Sequence, residues 1–280
     1  MIAEFASTVA GDDAEVTTLI PAGVDVHSFE PAPATVGTIA EADIVFVNGY
    51  NLEEGLLDIV LENVDPDTEV VAVAAGLTAL EGRHDHEEDD ADADHEESDH
   101  DDHEDVIRAA GDPHLWLDVS NARRYVEQIR DHLVELDPEA ADRYSERAGA
   151  YLEELDALDE EVVTAIAAIP EANRQLVVLH DAYSYLANAY GMELAASLLP
   201  AGAQADPSAS EVVALIELID DLGVPVIYRE PQFSASVLDA VAEETGTTVL
   251  VLYSTFAEGI DSYVELMRAN AAALVEGLGS

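Results

Sequence analysis

The chain has 280 residues, with 61 acids against 10 basic residues, all of them Arg, for a formal charge of −51. Such a chain repels phosphate backbones and anionic lipid heads, which excludes nucleic acid and a charged membrane surface as partners bound through charge and leaves cations as natural ones. Hydrophobic residues make up 49% and Cys is absent, so the chain carries enough apolar surface for a core but no disulfide, thiolate metal site or cysteine nucleophile.

The first eleven residues, MIAEFASTVAG, read as the second half of a helix followed at once by a strand at 15–20. No stretch reaches the roughly 18 apolar residues of a membrane span, and no basic segment precedes an apolar one at the start. Further β-branched runs at 44–47, 70–73, 176–179, 224–228 and 248–252 alternate with helical stretches. Short apolar strands separated by helices predict an α/β fold with parallel sheets covered on both faces. Between the third and fourth strands, 120–168 is helical with one interruption at Asp137-Pro138, since Pro marks a new helix start. Beyond it Tyr144, Ala148, Tyr151, Leu155, Leu158, Val162, Ile166 and Ile169 recur at the three- and four-residue spacing of one buried helical face. About 30 such residues span about 45 Å, enough to bridge two lobes. The expected organisation is an N-terminal lobe over 1–138, a connecting helix over 139–169 and a C-terminal lobe over 170–280.

Residues 84–105 differ in kind, with five histidines (His84, His86, His95, His100 and His103) and 14 acids among 22 positions. Nothing in that composition packs, which predicts a mobile loop, and His-rich tracts bind transition metals weakly. Of the other histidines, His132 reads as a helix-surface residue. His27 follows the first strand, His114 precedes a helix capped by Asp118 or Ser120, and His180 ends the strand LVVLH. All three lie at loop or strand ends, where α/β proteins assemble ligand sites. Three imidazoles need a further donor to close a metal shell, and without Cys this is expected to be a carboxylate. Asp261 stands just before the last helix, where spacing alone leaves it either a ligand or an N-cap.

The segments VDVHSFEPAP (24–33), DPHLWLDVSNA (112–122), HDAYSYLANAYGM (180–192), DPSASEVVALIELI (206–219), IYREPQFSASVLDAVAEETG (227–246) and DSYVELMRANAAALVEGL (261–278), with the His-rich loop, resemble the zinc and manganese solute-binding proteins of ABC importers. The resemblance is collinear over residues 10–280. It implies two α/β lobes joined by one rigid backbone helix, with the metal between them and His27, His114, His180 and Asp261 as ligands. Manganese-type members typically carry Glu at the third position, where His180 stands. Three imidazoles and one carboxylate suit Zn²⁺ better than Mn²⁺, and the His-rich loop marks the zinc type. The implied function is extracytoplasmic capture of Zn²⁺ by a monomer and its delivery to a membrane permease driven by an ATPase. Asp112 and Asp181 are expected to orient ligand rings. Departures from the family are Val26 in place of the usual Pro, a loop STFAEGID in which Glu258 or water can stand in for Asp261, and a start that lacks signal peptide, lipid-anchor Cys and first strand. The last of these predicts an N-terminally truncated chain, and the acid excess without Lys predicts an extreme halophile. Manganese is the alternative cargo. A zinc hydrolase is the rival class, disfavoured by the absence of H-E-x-x-H and by a shell that four protein ligands would close. A metal buffer or adhesin without a transporter is the other.

Overall fold

A computed structural model describes residues 1–80, 103–199, 208–234 and 236–279. Its α-helices are α1 (Ile2–Ala10), α2 (Pro33–Ala40), α3 (Glu54–Asn63), α4 (His103–Ile107), α5 (Val119–Leu136), α6 (Ala141–Ala167), α7 (Ser184–Ala189), α8 (Ala209–Leu222), α9 (Ser236–Thr245) and α10 (Tyr263–Leu278). Strands β1 (Ile44–Val47) and β2 (Glu69–Ala72) pair in parallel, and β3 (Gln175–His180), β4 (Glu193–Leu199), β5 (Val226–Arg229) and β6 (Thr248–Val251) form a second parallel sheet in the order β4-β3-β5-β6. The fold is α/β with helices flanking parallel sheets in two lobes.

The last and longest of the α-helices between the two sheets in the chain is α6, with 27 residues. Its buried residues Tyr144, Ala148, Tyr151, Leu155, Leu158, Val162 and Ile166 form the predicted stripe, packed against α5, α10 and α1. Asp137 ends α5 with non-helical backbone and Pro138 follows, so the two helices stay separate. Caps are local and explicit: Asp118 accepts from the Ser120 N–H at the start of α5, Ser208 and Glu211 form a reciprocal capping box on α8, and Gly223 closes α8 in the left-handed region at φ 64°. One continuous core takes in Phe5 of α1, Leu115 and Val126 of the first lobe, Leu155 of α6 and Leu176, Tyr183 and Met267 of the second. The lobes thus share buried apolar surface.

Several expectations need correction. Residues 15–20 form no strand, because β1 pairs with β2 and no described strand lies beside this run, which is mostly partly or fully exposed. β4 has no counterpart among the expected strands: ELAASLL lacks β-branched residues and owes its extended state to pairing with β3. The acidic segment does not stay irregular to 105, since α4 begins at His103. Carbonyls of Val106 and Ile107 accept from the N–H groups of Tyr50 and Asn51, which ties this helix to the turn after β1. His132 is half-buried and meets Glu69 at 3.3 Å rather than standing free in solvent.

Candidate metal centre

Three of the four singled-out residues converge. His27, His114 and His180 are all buried, and each offers a ring nitrogen within 4.8 Å of the other two. The ring centroids lie 5.2, 5.6 and 5.0 Å apart, and Nε2 of His27 is 3.2 Å from Nε2 of His114. Zinc–nitrogen bonds of about 2.0–2.1 Å in a tetrahedron place neighbouring nitrogens about 3.3–3.4 Å apart, so this separation fits two donors on one ion.

Each ring is set by its own local chain. His27 sits in the loop after residue 20, where its N–H donates to Asp25 Oδ1 at 3.2 Å while Ser28 Oγ donates to Oδ2 at 2.6 Å. His114 caps the short turn Leu115–Leu117, and both its backbone N–H and its Nδ1 donate to Asp112 Oδ1, at 3.0 and 2.8 Å. His180 ends β3, and its Nδ1 meets Glu230 Oε2 at 3.2 Å just beyond β5. Gln232 Nε2 donates to the other Glu230 oxygen at 3.1 Å. A carboxylate on Nδ1 fixes the tautomer and leaves Nε2 with its lone pair, the form a metal requires.

The electrostatics agree. Burial, then the neighbouring His114 and His180, lower the pKa of His27 to about 3, and burial followed by His180 holds His114 well below the ordinary imidazole value. Both rings are therefore neutral at pH 7. Burial pulls His180 down as well, but the Glu230 charge and its hydrogen bond outweigh it and raise the value. Burial raises Asp112 to about 7 against the His114 backbone hydrogen bond. Nε2 of His180 is buried without a hydrogen-bond partner among the described residues. Leaving such an acceptor unpaired is costly, and a cation supplies what it lacks.

Asp261 does not join this group of donor atoms. It is exposed, its N–H donates to Glu265 Oε2 at 3.1 Å, and the N-cap of α10 is its neighbour Ser262, which accepts from Glu265 N–H. Glu258 is exposed too and stands outside the cluster. Of the expected ring-orienting acids, Asp112 does meet His114, whereas Asp181 accepts from Ser184 Oγ and the carboxylate on His180 Nδ1 is that of Glu230. Glu230 is absent from the sequence-based expectations, and its one signal is an acid at the carboxyl end of a strand beside β3. His84, His86, His95 and His100 lie outside the described residues, and His103 opens α4.

Comparison with known proteins matches residues 1–277 to the family described as zinc-uptake complex component A, periplasmic. The manganese-binding lipoprotein MntA of Halalkalibacterium halodurans is 30% identical over 99% of this chain and 86% of its own length. The zinc-binding protein AdcA of Streptococcus pyogenes is also 30% identical, over 89% of this chain but 48% of its own longer one. Among solved structures, the Mn-bound periplasmic metal binding protein from Candidatus Liberibacter asiaticus superposes with a TM-score of 0.81 at 26% identity, covering 99% of this chain and 96% of that one. The chain accordingly belongs to the zinc-uptake component A family, whose members are substrate-binding proteins of metal ABC importers and not enzymes.

Proposed function

We propose that the chain captures Zn²⁺ on His27, His114 and His180 and presents it to the permease of an ABC importer, whose ATPase drives uptake. The observation that carries this reading is the convergence of three buried ring nitrogens within 4.8 Å, two of the rings tied through Nδ1 to carboxylates. A nitrogen-rich shell favours zinc over the oxygen-rich surroundings preferred by manganese. Asp261 is the proposed fourth ligand, with Glu258 or water as substitutes. Its loop is tied to the His27 loop, because Gly23 N–H donates to the Phe256 carbonyl at 3.0 Å. The His-rich segment is proposed to take further zinc weakly and to be dispensable for the tight site.

Manganese is the second reading, favoured by the name of MntA at 30% identity over nearly the whole chain. Among the described residues no helix is long and apolar enough to cross a membrane. An extracytoplasmic place, held by a lipid anchor like that implied by the relative's name, belongs to the same proposal.

The test is competition calorimetry with Zn²⁺ and Mn²⁺ on the wild type, a His180→Ala variant and a variant lacking 84–102. The expected results are one tight Zn²⁺ site, lost in His180→Ala and retained in the deletion. Tight Mn²⁺ binding that survives His180→Ala would overturn the zinc assignment, and loss of the tight site on deletion would overturn the division between core site and loop.

A further inference from the structure

A closed ring of hydrogen bonds joins the lobes beside His114. Tyr185, the second residue of α7 and five residues beyond His180, is buried. Its Oη donates to the Asp112 carbonyl at 2.8 Å and accepts from the Leu80 N–H at 2.8 Å, while the Asp112 N–H donates to the Leu80 carbonyl at 2.9 Å. A phenol can do both because it carries one proton and free lone pairs. The backbone on either side of Asp112 is equally constrained. The preceding Gly111 has φ +153°, and a Cβ there would lie 2.5 Å from the Ala79 Cβ. The following Pro113 carbonyl accepts from Asn48 Nδ2 at 2.9 Å, and Asn48 is itself fixed by the Tyr125 hydroxyl at 2.7 Å. Two successive peptides are thus held, Asp112–Pro113 by Tyr185 from the second lobe and Pro113–His114 by Asn48 from the first. Asp112 in turn takes both N–H groups that orient His114.

We propose that Tyr185 is a positioning residue: its hydroxyl transmits the placement of the His180-bearing segment to Asp112, and through Asp112 to the imidazole of His114, so that donors from two lobes meet one metal ion in register. The inference rests on the metal reading above. It places a determinant of metal affinity on a side chain that offers no donor to the metal. A purely packing role for Tyr185 would reside in its ring, and Tyr185→Phe keeps the ring while removing the oxygen.

The experiment measures the Zn²⁺ Kd by chelator competition and the visible absorption of the Co²⁺-loaded protein for wild type, Tyr185→Phe, Asp112→Asn and the double variant, with thermal unfolding of each metal-free protein alongside. Partners outside the ligand shell are worth about 10–100-fold in metal affinity, and a residue acting through such a partner belongs at the lower end. Tyr185→Phe is expected to raise the Kd about tenfold and to shift the Co²⁺ bands. The double variant should bind about as well as Asp112→Asn alone, because residues acting in series are not additive. Gly111→Ala, which opens the same ring from the first lobe, should reproduce the Co²⁺ shift and keeps the test decisive if Tyr185→Phe folds poorly. Unchanged affinity in both Tyr185→Phe and Gly111→Ala, or losses that multiply in the double variant, would overturn the proposal. A wild type that binds neither Zn²⁺ nor Co²⁺ sinks the metal reading and this inference with it; wild-type binding with indifferent variants sinks this inference alone.

Discussion

Replacing Glu230 by Gln isolates what a buried charge does for His180. Both side chains are nearly inaccessible, at 1% and 2% exposure, and their contact is 3.2 Å. The amide oxygen of Gln can still accept from Nδ1–H, so the substitution removes charge and spares the hydrogen bond. Two unit charges at that distance interact by about 5 kcal/mol at an effective dielectric of about 20. With a neutral ring sharing the charge of a bound cation only part of this is at stake, and the expected loss is about 10–100-fold in Zn²⁺ affinity, or about 1.4–2.8 kcal/mol. Protons compete for the same ring. Burial lowers the His180 pKa and Glu230 more than restores it, so the wild type must shed a proton below that raised value before it binds metal, whereas the Gln variant sheds it more readily. The affinity gap should therefore be widest near pH 8.5 and shrink as pH falls through the raised value. Competition titrations at a series of pH values between 6 and 8.5, at fixed ionic strength, read this directly. A gap that stays constant, or widens towards pH 6, would refute the assignment of Glu230 as the charge that tunes His180.

Burial raises the Glu53 carboxyl to about 7, opposed by the Asn48 N–H that it accepts at 2.8 Å. A folded-state value above the unfolded one means stability present below the unfolded pKa and lost as pH rises through the folded one. Glu53→Gln should match the wild type in urea unfolding near pH 4 and exceed it near pH 8 by up to about 3 kcal/mol; a variant less stable at both would contradict this. Leu155→Ala, fully buried on α6, should cost about 2–5 kcal/mol and about 3–8 °C in Tm for a chain of this size. Because one core runs through both lobes, calorimetry should show a single transition, and two separated peaks would count against a shared core. Ser208→Ala removes the capping box of α8 and should cost about 1 kcal/mol, read from the same unfolding curves.

What is legible in the sequence depends on how local the cause is. The run 44–47 is β1 with the same bounds, and β3, β5 and β6 fall within two residues of their expected positions, because buried β-branched runs declare themselves. The long stripe from Tyr144 to Ile166 is the buried face of α6 as expected. Where the cause lies in a partner element, the reading fails: VTTLI at 16–20 has strand propensity but no described strand beside it, and the Ala-rich β4 is extended only because β3 lies beside it. The same division holds at the site. His27, His114 and His180 stand out through loop and strand-end context, and Asp112 through its closeness to His114. Glu230 and Tyr185 act across elements 50 and 73 residues apart in sequence, which no spacing rule reveals. Asp261 enters by resemblance, and the structure shows it exposed in the loop that leads into α10.

The charge of −51 divides on the same physical line. Among the described residues the buried acids are Glu53, Asp112, Asp181 and Glu230. Asp112 and Glu230 touch the rings of His114 and His180, and Asp181 follows His180 directly and helps to raise its pKa. Beyond the first residues of α4, the other described acids are at least partly exposed, where a carboxylate is hydrated and its reach is set by salt, about 8 Å at physiological ionic strength and about 3 Å at molar concentration. Over such distances a surface of acids keeps a protein dissolved but cannot choose between one divalent cation and another. Choice requires donors whose protonation and direction are fixed before the metal arrives. In the proposed site that work falls on three buried rings, His27 and His114 neutral at pH 7 and His180 governed by Glu230, and on the buried oxygens behind them: Asp112 and Glu230, with Tyr185 bracing Asp112.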